Sequence, residues 1–200
     1  MTFKGVHRLL LLVFMGLALA GCQTEDTPAK PQFVSTTSDS RNSNYFIEFR
    51  SRYALSYGHT YVVFGRTDGS GQMINPEVAG LHPKSTSAVP YVIGHFVPVP
   101  AETGWSDGDL EEPYRSASWR VMLSQAEYNK VVRKIRDLQA NSKFWQAALY
   151  NCNAFTGDVA RSMGYSVPPI QLRPQEFVTK LREMNEGRRS VSPSRVLTAS

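Results

Sequence analysis

The apolar residues of this 200-residue chain change period once, and that change limits the folds open to it. From Tyr45 to Leu123 they come in short β-branched and aromatic runs; from Ser124 onward they recur every three or four residues. Tyr45–Arg50, His59–Arg66, Tyr91–Val97 and Ser118–Leu123 read as strands. Asp68-Gly69-Ser70-Gly71 reads as a hairpin turn with Gln72–Asn75 as the returning arm. Pro98–Pro113, rich in Gly, Pro and acidic residues, reads as a loop. Ser124 and Glu127 form a capping box before Tyr128, Val131, Val132, Ile135 and Leu138 at helical spacing. A short apolar segment, Phe144–Tyr150, leads to a second helix running from Cys152 to about Met163, with Phe155, Val159 and Met163 on one face. Gly164 is its stop, and Pro168-Pro169 forbid continuation. A last helix follows Pro174, with Phe177, Val178, Leu181 and Met184 expected inward. Strands in one block and helices in the next predict an α+β fold, an antiparallel sheet packed against helices.

The first 21 residues have the layout of a secretory leader: Lys4 and Arg8, then an apolar run from Leu9 to Ala20. That run is shorter than the roughly 20 residues a membrane span needs. Leu19-Ala20-Gly21-Cys22 resembles the bacterial lipobox, which implies diacylation of Cys22 as the mature N-terminus. Gln23 rather than Asp after the cysteine favours the outer membrane, periplasmic face, by the enterobacterial pattern. The expected organisation is a signal at 1–21, a flexible tether at 22–44, one domain at 45–186 and a disordered basic tail at 187–200. Loss of Lys4 and Arg8 would lower the formal charge from +5 to +3. The basic residues do not cluster with aromatics, so no nucleic-acid partner is expected.

Only two cysteines occur, and lipid on Cys22 leaves Cys152 without a disulfide partner in an oxidising compartment. Asn151 is a good N-cap, which puts Cys152 in the first turn of its helix. There the helix dipole and free backbone N–H groups should lower the thiol pKa. The alternative is a small apolar side chain packed beside Phe155. His59 opens a strand and could face a cleft; His82 is expected in a loop and His95 within a strand. No metal-ligand spacing occurs and no cofactor is expected.

A His at a strand start, a hairpin, further strands, a helix and then Asn-Cys-x-x-Phe opening another helix resembles the circularly permuted papain-like superfamily. That group includes lecithin retinol acyltransferase-like proteins and permuted relatives of NlpC-type cell-wall peptidases. The likeness covers about His59 to Gly164 and rests on Gly58-His59-Thr60-Tyr61 and Asn151-Cys152-Asn153-Ala154-Phe155. It implies a permuted papain-like fold, with Cys152 as nucleophile and His59 as general base. The acyltransferase branch carries a second His about a dozen residues after the first, where this chain has Gly71 and Gln72. Gln72 is the candidate to orient the imidazole, with Asn75 and Glu77 as alternatives. The backbone N–H of Cys152, in the helix start capped by Asn151, is the candidate oxyanion donor.

The expected function is that of a membrane-anchored cysteine hydrolase or acyltransferase working through a thioester. Its expected substrate is cell-wall peptide or envelope lipid. The alternative is a non-catalytic envelope lipoprotein that binds a ligand or partner, with Trp105, Tyr114 and Trp119 either lining a groove or filling the core. The two part on one geometric question, whether His59 reaches the Cys152 sulfur at an open cleft.

Overall fold

Seven strands form one sheet in the computed structural model, which describes residues 34–37, 44–54, 57–85 and 87–186. They are β1 (Val34–Thr37), β2 (Tyr45–Arg52), β3 (His59–Thr67), β4 (Met73–Pro83), β5 (Val99–Thr103), β6 (Arg115–Leu123) and β7 (Phe144–Trp145). Their spatial order is β1-β6-β2-β3-β4-β5-β7. Every neighbouring pair from β6 to β7 is antiparallel, and β1 adds to the β6 edge in parallel. The helices are α1 (Val89–Ile93), α2 (Gln125–Asn141), α3 (Cys152–Ser162) and α4 (Pro174–Asn185). The fold is therefore α+β. The leader at 1–21, Cys22 and the tail at 187–200 lie outside the described residues.

The pleat of β3 decides what each side chain meets. Alternate residues point to opposite faces of a strand. Val62 and Phe64 join Phe49, Leu81, Ile135, Phe155, Phe177 and Leu181 in the main core beneath α2, α3 and α4. Tyr61 and Val63 point the other way and pack with Phe46 in a smaller cluster. On that second face β2 also contributes Glu48, which accepts from Arg50 Nε at 2.7 Å and Arg120 Nε at 2.6 Å, with Arg115 at 3.4 Å. Arg50 reaches on to Glu112. Segment 104–114 closes over this face. Its Asp109 holds Arg52 Nε at 2.6 Å, and its backbone carbonyl accepts the Tyr61 hydroxyl.

The helices follow the sequence closely. The Ser124–Glu127 capping box forms reciprocally, and Val131, Ile135 and Leu138 are buried. Gly164 has φ 87°, the left-handed conformation that ends α3 without a Cβ penalty. Pro174 starts α4, whose Phe177, Val178 and Leu181 are buried. Met184, expected inward, is 39% exposed.

Three expectations need correction. Tyr91–Val97 is not a strand: α1 forms instead, with Pro90 in its first turn and Pro98 beyond its end. A short apolar run is consistent with either element, and here it packs Tyr91 onto Trp145 (ring centroids 5.7 Å apart) rather than joining a neighbouring strand. The expected loop 98–113 contains β5, where Val99 is buried while Pro100 and Glu102 are exposed. The expected tether contains β1, whose β-branched composition suits the otherwise unpaired edge of β6.

Candidate functional site

One end of the sheet gathers the chemistry. β2 ends there at Arg52 opposite His59, β4 ends there at Pro83, and the chain returns there through β7 before α3 begins. Asn151 caps α3 as expected: its Oδ1 accepts the Ala154 N–H at 3.0 Å, and its Nδ2 donates to the carbonyls of Ala147 and Ile170. Cys152 is thus in the first turn, and it is 4% exposed.

The groups at the sulfur are those of Thr60 and the α3 backbone. Burial pushes the Cys152 thiol up from its ordinary value; hydrogen bonds from Thr60 and from the Asn153 backbone oppose the rise without cancelling it. The expected lowering by the helix start is therefore reversed. Desolvation of the thiolate outweighs the dipole here. Thr60 also donates its hydroxyl hydrogen to Asn153 Oδ1 at 2.9 Å, linking the strand to the cysteine helix. Asn153 in turn donates to the Ile170 and Leu172 carbonyls at 3.0 and 2.8 Å, tying strand, helix and the 170–172 segment together. Tyr57 and Tyr91 lie within electrostatic reach of Cys152. Burial raises both phenols, and the sulfur adds to the rise.

His59 is not at the sulfur. Its ring stacks on Tyr61, with centroids 5.6 Å apart and planes 17° apart, which places it on the sheet face opposite α3. Its Nε2 is buried with no hydrogen-bond partner among the described residues. A Cβ on Gly80 would stand 2.9 Å from that nitrogen and 3.0 Å from Tyr61 Cβ, so the glycine makes room for the imidazole. Burial, then the charge of Arg52 and the His82 ring, hold His59 well below the usual imidazole range. It is a neutral, packed ring. The residue pointing toward the cysteine helix is its neighbour, Thr60.

The other candidates are also displaced. Gln72 is exposed at the hairpin turn, its N–H on Asp68 Oδ1. Nine residues of β3 separate that turn from His59, roughly 25 Å at strand rise, so Gln72 does not orient the imidazole. Asn75 is exposed with φ 42°, and Glu77 pairs with Arg136 on α2. His82 lies in β4 rather than a loop, its ring edge-on to His59 at 6.0 Å with Nδ1 on the Pro83 carbonyl. His95 is exposed after α1, against Trp145. Trp119 is core, whereas Trp105 and Tyr114 are exposed. Among the described residues no three His, Cys, Asp or Glu side chains gather as a metal-binding group.

Sequence reasoning missed Thr60, Asn153, Tyr57 and Tyr91. The signal for Thr60 was its even spacing from Val62 and Phe64, but both parities of β3 are apolar, so the run alone did not say which faces the helices. Comparison with protein-family models, curated proteins and solved structures finds no match to this chain.

Proposed function

We propose that this chain is a non-catalytic, lipid-anchored module of the bacterial cell envelope, binding a partner or ligand on a permuted papain-like frame. One observation carries the reading: the ring of His59 stacks on Tyr61, away from the face on which Cys152 meets Thr60. A thiol without a base stays protonated when burial raises its pKa, and acyl transfer lacks its proton shuttle. The lipid anchor at Cys22, and with it the outer-membrane location, come from the leader and the lipobox-like run.

The test is reactivity. Iodoacetamide should alkylate Cys152 in the native protein far more slowly than free cysteine at pH 7, and rapidly once urea unfolds the chain. Purified envelope polymer and phospholipid should be turned over equally, at background, by wild type and Cys152→Ala. Faster native alkylation than free cysteine, or turnover lost in Cys152→Ala, overturns the proposal. Either result would support the hydrolase or acyltransferase reading, which is favoured by the seat of Cys152 in a capped first helical turn with backbone groups at the sulfur.

A further inference from the structure

A second surface lies beside the Cys152 end of the sheet. Residues 85–100 contain no Asp, Glu, Lys or Arg, and neither do residues 144–151. The two stretches are held together: the Ala147 N–H donates to the Gly94 carbonyl, and Gln146 Nε2 reaches the His95 carbonyl. α1 turns Tyr91 and Gly94 inward onto Trp145, and any side chain at Gly94 would collide with that ring. What faces outward is apolar. Phe96 is 81% exposed, Leu149 75%, Val92 62% and Val89 60%, with Ile93 and Val97 between them. Single exposed apolar residues are ordinary, but a contiguous rigid outcrop marks a contact surface.

The chain's own course says what covers it. β1 runs parallel to β6, with Val34 opposite Ser118 and Thr37 opposite Val121. Because β6 begins at Arg115, opposite Arg52, the chain enters β1 from the same end of the sheet as α1 and Cys152. Cys22 precedes Val34 by twelve residues. Whatever path they take, twelve residues reach no further than about 40 Å. A lipid on Cys22 therefore keeps a bilayer within reach of this end, and exposed Lys143 flanks the outcrop with positive charge, while Lys84 beside it is paired with Glu102 at 4.0 Å.

We propose that the outcrop formed by Val89, Val92, Ile93, Phe96, Val97 and Leu149 seats the domain on the bilayer in which it is anchored, with the Cys152 end of the sheet facing the lipid. This orientation rests on the lipid-anchor reading; the surface itself does not. Aromatic and branched apolar side chains on a short amphipathic element insert at the headgroup boundary, and a flanking lysine meets anionic lipid.

The experiment uses the full-length protein as the cell processes it, on vesicles of phosphatidylethanolamine and phosphatidylglycerol with brominated acyl chains. Phe96→Trp places a fluorophore on the outcrop, and Ile74→Trp places one at an exposed site near the hairpin, at the far end of the sheet. The proposal expects bromine to quench the new fluorophore in Phe96→Trp and to leave that in Ile74→Trp unquenched. It also expects Phe96→Glu to weaken association of non-acylated protein with vesicles by about tenfold or more. Equal quenching at the two sites, or a Phe96→Trp signal shielded from bromine by a second copy or another protein, overturns it. Intact mass reports acylation of Cys22 separately. An acylated protein with unquenched Phe96→Trp refutes the seat and keeps the anchor, whereas quenching without acylation does the reverse.

Discussion

Acid should destabilise this protein earlier than its carboxylates require, and His59 is the reason. The folded state holds that imidazole neutral, well below its ordinary value of 6.5, because the ring is 6% exposed and faces Arg52 and His82. Below pH 6.5 the unfolded chain binds a proton there that the folded chain does not. Stability therefore falls with falling pH by about 1.4 kcal/mol per unit until the folded pKa is reached. Sustained over a single pH unit, that slope is already a sizeable fraction of a typical domain's stability. Urea unfolding followed by the fluorescence of buried Trp119 and Trp145, repeated every half pH unit, measures the slope. His59→Gln cannot titrate, and its slope should be flatter than wild type by that amount whatever its absolute stability. Asp109, raised by burial, works in the opposite sense as pH falls through its folded value, and it cancels in the comparison because both proteins carry it. Glu48, which is lowered, acts below pH 4.5 and is likewise common to both proteins. Parallel slopes in the two proteins, or a His59 ring proton shift that titrates near 6.5 by NMR, would refute the reasoning.

Three further outcomes follow from the same geometry. Glu48→Gln leaves the guanidiniums of Arg50, Arg115 and Arg120 without their shared buried carboxylate and should cost about 3–5 kcal/mol by urea midpoint. In wild type, despite the opposing pull of burial, Arg50 and Arg120 hold the Glu48 pKa down, so its contribution is present above pH 4.5 and disappears as pH falls through its lower folded value. Asn153→Ala strands the Leu172 carbonyl and removes the acceptor of the Thr60 hydroxyl, while Asn151 still serves the Ile170 carbonyl; it should cost about 2 kcal/mol, with faster amide exchange in the 165–173 segment. Gly80→Ala drives a methyl into the His59 ring and Tyr61, costing about 1–3 kcal/mol, and truncating the ring in His59→Ala should relieve most of that cost in the double variant.

The helical half was readable because its signals are local. A capping box, an asparagine N-cap and a glycine at φ 87° act within a few residues and need nothing from the rest of the fold. The sheet was readable only in part. Alternation cannot assign faces in a strand whose residues are nearly all buried, and that one ambiguity in β3 decided whether His59 or Thr60 would turn toward the cysteine helix. Tyr91–Val97 misled for a related reason: its apolar residues are on the outside, held there by two inward contacts with Trp145 that lie fifty residues away in sequence. The Cys152 pKa failed on depth rather than position, since a helix start is legible in sequence but the burial of its first side chain is not.

The parallel pairing of β1 with β6 also governs how a load enters the domain. A force applied at Val34 along the strand axis and outward from the Cys152 end of the sheet would load the four paired positions from Val34 to Thr37 in shear, all strained at once. Had β1 run the other way, the same force would have folded the strand back on itself and opened its hydrogen bonds in turn, like a peeling strip. A four-residue edge strand is thermodynamically slight, yet in this direction it is a mechanical clasp at the point where tension arrives.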